Sequence, residues 1–433
     1  MLFRVSARFI ACYGLLLFVP GLVHAQTRVA RWHTTLDSAT ETASRTGKPL
    51  FIVFRCVPCG ACWEWDGQVA HADKAIAELR EQFVCARIPQ MNDVDIQKFE
   101  HDFDTTWAAY FMDANGHIYS RFGGRDETDP EARLDGAALL QTMREVLEVH
   151  ERRMKRGPTD TDEELQPAPA TSSTPEDIPL LESRHTGCVH CHQVQEYRLR
   201  QSYLDGVFDQ KALFGFPLPE SIGLKFVRSH GHRLERVEAN SLAERAGLKP
   251  GDLVTHINAV PIHSEQDVRW ALHRSQDSKP VAVTVSRVKP EHADETIRVE
   301  LTVSGNWRQT ELGWRKSLRS VPLSLGFLGY PLDAEELRTG GLMDKNATAA
   351  PMALRVVSLR GEGLAQSLGL RKDDVIVALE DQRKHRTLDD FKSDLLRRYS
   401  PGDLVTVTVQ RDGQPIVLKG ALPDWSLDVN GLP

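Results

Sequence analysis

Two groups of cysteines carry the chemistry open to this sequence. Cys56, Cys59 and Cys62 stand in Cys-Val-Pro-Cys-Gly-Ala-Cys; Cys188 and Cys191 stand in Cys-Val-His-Cys, with His192 next. A C-x-x-C pair exchanges with a disulfide when one thiolate attacks and the second thiol resolves the mixed disulfide. A helix start favours the thiolate, because its partial positive charge lowers the thiol pKa. The flanks supply such a frame. Pro49–Phe54 (PLFIVF) reads as a strand buried on both faces, and Cys62–Glu81 reads as helix. Structural readings stay open beside this one: a Cys56–Cys85 or Cys59–Cys62 disulfide, or a zinc site.

The second group has a different chemistry. Cys188-Val-His-Cys191-His192 has the spacing of a c-type haem attachment site. Two thiols would form thioethers to the haem, and His192 would be the axial iron ligand. A Cys188–Cys191 disulfide, or a zinc site using His185, His190 or His192, is the alternative. No other cofactor is implied.

The first 25 residues decide the compartment. Arg4 and Arg8 precede the apolar run Phe9–Val19, and Val23-His24-Ala25 offers a cleavage site. This pattern is a secretory leader; its apolar run is too short to span a bilayer. The expected location is the periplasm or cell envelope, with no stable membrane span after cleavage. Disulfides and attached cofactors persist there. The 433-residue chain is 41% hydrophobic and 26% charged, with a net charge of −7. That composition excludes a disordered, collagen-like or multi-span protein, and it gives no basic run for nucleic acid.

The elements that must position the thiols fall upstream of residue 157. After the strand and helix come a strand at Phe83–Ile88 and a hairpin, Ala108–Met112 and His117–Arg121, around Asp113-Ala-Asn-Gly116. Leu134–Lys155 then has helical spacing. Residues 157–180, rich in proline and acid, read as a disordered linker. A strand running into C-x-x-C at a helix start resembles the thioredoxin fold over roughly residues 28–156, and the hairpin FMDANGHIYSRFGG resembles that family's terminal hairpin. The resemblance implies Cys59 as nucleophile and Cys62 as resolving thiol, with Cys56 a third catalytic candidate. The proline that thioredoxins hold beside the dithiol is replaced by Thr106-Trp107.

Beyond residue 216 the sequence repeats itself. NSLAERAGLKPGDLVTHIN (240–258) matches EGLAQSLGLRKDDVIVALE (362–380), so Ala243, Gly247 and Asp252 pair with Ala365, Gly369 and Asp374. VTVSR (283–287) likewise matches VTVQR (407–411). Both copies resemble PDZ domains, at 216–305 and 322–423, joined by a connector at 306–321. Residues 181–215 form a separate segment around the CxxCH motif. The resemblance implies that Ser221-Ile222-Gly223-Leu224 and Ser324-Leu325-Gly326-Phe327 are loops whose N–H groups hold a peptide C-terminus, beside which the ligand adds as a strand. Leu325, Gly326 and Phe327 stand in a copy with an insertion between Leu328 and Ala353, so the first groove is the better candidate.

The expected fold is therefore multidomain, α/β plus α+β: a thioredoxin-like domain followed by two PDZ-like domains. The assembly resembles a group of exported bacterial thioredoxin-like proteins with PDZ domains, some of them selenoproteins. The expected function is thiol-redox or electron-transfer chemistry, with a covalent haem c and with grooves that capture the C-terminal peptide of an envelope protein. The alternative is a non-enzymatic envelope scaffold with structural disulfides. No G-x-S-x-G or HExxH stretch occurs, so a protease is not expected.

Overall fold

The computed structural model describes residues 32–423, apart from 56–59, 68, 70–73, 129–132, 158–171, 185–186, 290–292, 321–322, 345, 348, 362 and 385. The leader, Cys56, Cys59, His185 and the middle of the linker lie outside the described residues.

The N-terminal domain is one sheet covered on both faces. β1 (Leu50–Arg55), β2 (Val84–Ile88), β3 (Trp107–Met112) and β4 (Ile118–Gly123) lie in the order β2-β1-β3-β4. β1 and β2 are parallel, and the other pairs are antiparallel. Along β1, Leu50, Ile52 and Phe54 enter one buried cluster, while Phe51 and Val53 enter another. Side chains alternate between faces, so a strand with both faces covered must be apolar throughout. α1 (Leu36–Thr46) covers the first face; α2 (Gly60–Gly67), α3 (Lys74–Arg80) and α4 (Gly136–Arg156) cover the second. α4 starts where Asp135 accepts the N–H groups of Ala137 and Ala138, an N-cap that satisfies two orphan donors.

Within the helix expected over Cys62–Glu81, α2 and α3 are the parts that the described residues show; 68 and 70–73 between them lie outside those residues. One expectation is corrected here. The disordered linker does not extend to residue 180. From Thr174 the chain is held by a capping box on the turn Pro175–Asp177 and packs Ile178 and Leu181 into the first-face cluster. The run Ile178-Pro-Leu-Leu181 supplies apolar surface that the proline- and acid-rich average conceals. α5 (Pro179–Arg184) and α6 (Cys191–Leu204) follow. α6 is no separate segment either. Cys191 and Val194 belong to the N-terminal domain's core, while Leu199 and Tyr203 belong to the core of the second repeat.

The two repeats have matching elements. The first holds β5 (Leu224–Phe226), β6 (Leu234–Val237), α7 (Leu242–Arg245), β7 (Leu253–Ile257), β8 (Val260–Pro261), α8 (Glu265–Arg274), β9 (Val281–Arg287) and β10 (Glu295–Leu301). The second holds β11 (Phe327–Pro331), α9 (Ala334–Thr339), β12 (Leu354–Leu359), α10 (Leu364–Leu368), β13 (Val375–Leu379), α11 (Leu388–Arg398), β14 (Leu404–Arg411) and β15 (Gln414–Ala421). α9 lies in the insertion that the repeat offset indicated. The repeated residues have a shared structural task. Arg287 grips Asp252 with two bonds of 2.6 and 2.7 Å and donates to Gly247 O at 3.0 Å. Arg411 grips Asp374 with two bonds of 2.7 Å and donates to Gly369 O at 3.0 Å.

Candidate functional site

β1 runs into the first cysteine group, so the end of the sheet marked by Arg55 is the candidate thiol site. Cys62 lies in α2, and one turn further along that helix Asp66 is buried. Arg55 pairs with Asp66, and Arg87 reaches the same carboxylate at 3.2 Å. Two guanidiniums against one carboxylate leave positive charge at this end of the sheet, which favours a thiolate. Burial lowers the pKa of Arg87, and Asp66 opposes that shift. Trp65 packs edge-on to Trp107 at 6.0 Å, whereas Trp63, beside Cys62, is 70% exposed. An exposed indole next to a dithiol gives an incoming chain an apolar platform. Cys85 takes no part: it is buried and in no disulfide, and burial pushes its thiol up to about 12. Of the structural alternatives, the Cys56–Cys85 disulfide is therefore not formed.

The CxxCH motif lies at the edge of the same sheet. Met91 N–H donates to Val189 O at 2.8 Å, and Asn92 Oδ1 accepts Val189 N–H at 2.8 Å. His101 is buried, with Nδ1 and Nε2 each 2.9 Å from a carbonyl oxygen, those of Phe99 and Cys191. Neither Cys188 nor Cys191 is in a disulfide; Cys188 is exposed and Cys191 is 4% exposed. Cys191 shares its apolar cluster with Ile178, Leu181, Val189 and Val194. A covalent haem needs both sulfurs at the porphyrin edge and the histidine under the iron. Seating that edge on Cys191 would unpack this layer, so the residues as arranged do not fit the group. His192 is half-buried and stacks on His190 at 5.9 Å; burial lowers its pKa against the pull of Glu196 and Asp104. Among the described residues no cluster of three His, Cys, Asp or Glu side chains could hold a metal ion.

The peptide loops take the turn that their glycines allow. Gly223 has φ +88° and Gly326 φ +66°, backbone that favours glycine. Ile222 and Leu224 are fully buried, and Leu325 and Phe327 are nearly so. In the first loop Gly223 N–H donates to Glu220 O at 3.0 Å, so this donor is engaged within the turn. β5 and the helix α8 form the walls of the first groove. One cavity of about 320 Å³ is lined by both, through Lys225, Phe226, Glu265 and Arg269, and by Phe122 and Gly123 of β4.

The first repeat is thus seated on the N-terminal domain. Asp267 of α8 accepts Ser120 Oγ–H at 2.6 Å and Arg121 N–H at 2.8 Å, capping the open edge of β4. Arg121 lies over the Trp270 ring at 3.6 Å. Arg269 and Arg315 both pair with Asp102, and all three side chains are at most 2% exposed. Glu145 of α4 binds His232 Nε2 and His263 Nδ1, each at 2.9 Å. Burial would raise the Glu145 pKa, but the bonds from His232 and His263 outweigh it and hold the carboxyl well below its usual range. None of Asp102, Glu145 or Arg133 stood out in the sequence, because each partner lies far along the chain and no local spacing marks it.

A sheet of this order, with helices on both faces and a C-x-x-C segment after β1, defines a thioredoxin-like domain, and the comparisons agree. The thioredoxin-like family matches residues 31–113, and the PDZ domain family matches residues 233–287. The chain therefore joins a thioredoxin-like domain to a PDZ domain, and the second repeat copies the PDZ element order. No curated protein matches the chain. Among solved structures, similarity extends to an aminopeptidase N family protein from Idiomarina loihiensis, at 22% identity and TM-score 0.18, covering 24% of this chain and 15% of that one. It extends also to the HtrA-type protease AlgW with a decapeptide, at 15% identity and TM-score 0.20, covering 34% of this chain and 50% of that one. The chain spans half or less of the length of these proteins.

Proposed function

We propose that this is an exported thiol–disulfide exchange protein whose first PDZ groove presents a partner's C-terminal segment to the thioredoxin-like dithiol. One observation carries the reading. Phe54 pairs with Ala108, and Ala108 pairs with Gly123, so the groove cavity at Gly123 stands two strands from the end of β1. Strands lie about 4.8 Å apart, which puts the groove about 10 Å from the strand that leads into the cysteines. A bound peptide would meet the dithiol at high effective concentration without any flexible tether. The positive charge of Arg55 and Arg87 supports Cys59 as the attacking thiolate, with Cys62 resolving. In each turnover the Cys59 thiolate takes one sulfur of a substrate disulfide and the other sulfur leaves as thiolate. Cys62 then displaces the reduced substrate, leaving Cys59–Cys62 oxidised. No step is assigned to haem.

The test is insulin reduction by the full chain with dithiothreitol as electron donor. Cys59→Ser is expected to abolish it, and Cys62→Ser to trap a mixed disulfide on Cys59. Activity unchanged in Cys59→Ser would overturn the reading. A scaffold without redox activity is the second reading; the buried ion pairs that fix the first repeat on the N-terminal domain favour it. Peptide binding without any insulin reduction would select it.

A further inference from the structure

We propose that Arg133 is an internal stand-in for a basic ligand side chain, and that the first PDZ groove takes C-terminal peptides carrying arginine or lysine by displacing it. The inference rests on the peptide-capture part of the function above and adds what the groove selects and what keeps it shut.

Arg133 belongs to the thioredoxin-like domain, yet its guanidinium lies at the groove of the first repeat. Nη2 meets Glu220 at 3.1 Å, Nη1 pairs with Glu265, and Nε meets Asp126 at 2.7 Å. Glu220 lies in the turn that enters the Ser221–Leu224 loop, and Glu265 is the first residue of α8. One guanidinium from another domain therefore bridges the loop side of the groove to its helix side. The Arg133 side chain is only 15% exposed. Burial would lower its pKa, but Glu265, Glu220 and Asp126 more than reverse this. Three carboxylates converge on this one guanidinium, so a group that replaces it must itself be a cation.

Two further contacts bear on the groove. Arg269 of α8 donates to Arg125 O at 3.0 Å, fastening the end of β4 to the groove helix. Glu220, held by Arg133, also accepts Gly223 N–H through its carbonyl at 3.0 Å, so the loop donor stays turned into the chain. A ligand that brings its own arginine or lysine replaces the Arg133 contacts with Glu220 and Glu265 and leaves neither carboxylate unpaired. A ligand without one must leave buried Glu265, and the more exposed Glu220 beside it, without their partner, and for the buried acid that costs more than a bond foregone. The groove thus discriminates by the penalty it imposes on neutral peptides.

The experiment uses the full chain and three fluorescein-labelled hexapeptides with a free apolar C-terminus. Arginine stands second, third or fourth from that end, and an all-alanine analogue is the control. Arg133→Ala is expected to bind at least one arginine peptide about tenfold more tightly than the wild type, about 1.4 kcal/mol, and to prefer it to the alanine analogue. Adding Glu265→Gln should erase that preference. Arg133→Lys, which keeps the charge but cannot bridge two carboxylates with one fork, should fall between wild type and Arg133→Ala and guards against a misfolded variant. Equal affinity of wild type and Arg133→Ala would overturn the closure. Equal binding of arginine and alanine peptides by Arg133→Ala would overturn the selectivity. No binding by any variant, with normal melting curves, would overturn peptide capture itself.

Discussion

The two repeats share one internal lock but are attached to their neighbours by opposite means. In both, an aspartate after the Gly turn takes a two-bond grip from the arginine that ends the penultimate strand, Asp252 with Arg287 and Asp374 with Arg411. The first repeat then docks through buried charge: Asp267 on the edge of β4, Arg269 on Asp102, and Glu145 on two histidines. The second docks through apolar burial. Phe103, Leu199, Tyr203, Leu213, Phe214, Leu312 and Leu318 join Phe327, Phe391 and Leu395 in one cluster. Apolar docking is non-directional and tolerates replacement, whereas buried ion pairs fail when one partner is removed. The charged seat gives the first repeat a fixed place on the N-terminal domain, which is what the proposed regulation of its groove requires.

The strongest way to break this contrast is Asp102→Ala. It leaves Arg269 and Arg315 buried without their carboxylate, and loss of one partner from such a group costs about 3–5 kcal/mol. Urea unfolding should show that loss, with the first repeat released from the N-terminal domain. A cost under about 1 kcal/mol would mean that the charged seat does not hold the repeat.

A matched pair of glycine substitutions sharpens the comparison next. Both loops use positive φ, so alanine carries about 1–2 kcal/mol of strain in either. A Cβ on Gly223 would also overlap the side chain of Ser241, whereas one on Gly326 meets nothing nearer than Gly363 Cα at 3.3 Å. Gly223→Ala should therefore cost about 3 kcal/mol, and Gly326→Ala about 1–2 kcal/mol. Thermal melts of the two variants decide this, and equal shifts would contradict the tighter packing of the first loop.

Local signals carried most of the architecture. PLFIVF announced a strand buried on both faces, Asp113–Gly116 a hairpin, and the paired Ala, Gly and Asp positions a repeated domain. These depend on neighbours within a few residues, which a sequence displays. What stayed hidden depends on pairing across domains. Asp102 looks like any acid in His-Asp-Phe-Asp, and Arg133 like a solvated charge, until the fold brings Arg315 and Glu220 to them. The CxxCH spacing is likewise local, but what packs against Cys191 depends on Ile178 and Leu181, which stand at and just past the end of a stretch whose composition reads as linker.

The smallest expected effect tests the charged seat through pH. Glu145 has its carboxyl held below the usual range by His232 and His263. A carboxylate with a depressed folded pKa contributes stability that is fully present above its unfolded value, about 4.3, and is lost as pH falls toward the folded value. The wild type should therefore lose stability faster than Glu145→Gln between about pH 5 and pH 3, while at pH 7 the variant should be less stable by about 1 kcal/mol, discounted because the group is only partly buried. Sensitivity should appear in probes of the interface between α4 and the first repeat, such as amide exchange at Val254, whose carbonyl lies 2.9 Å from His232 Nδ1. The second repeat is seated through an apolar cluster to which Glu145 does not belong, so its amides should exchange alike in wild type and variant across the same range. If both repeats loosen together in acid, the two modes of attachment are not separable and the contrast between them fails.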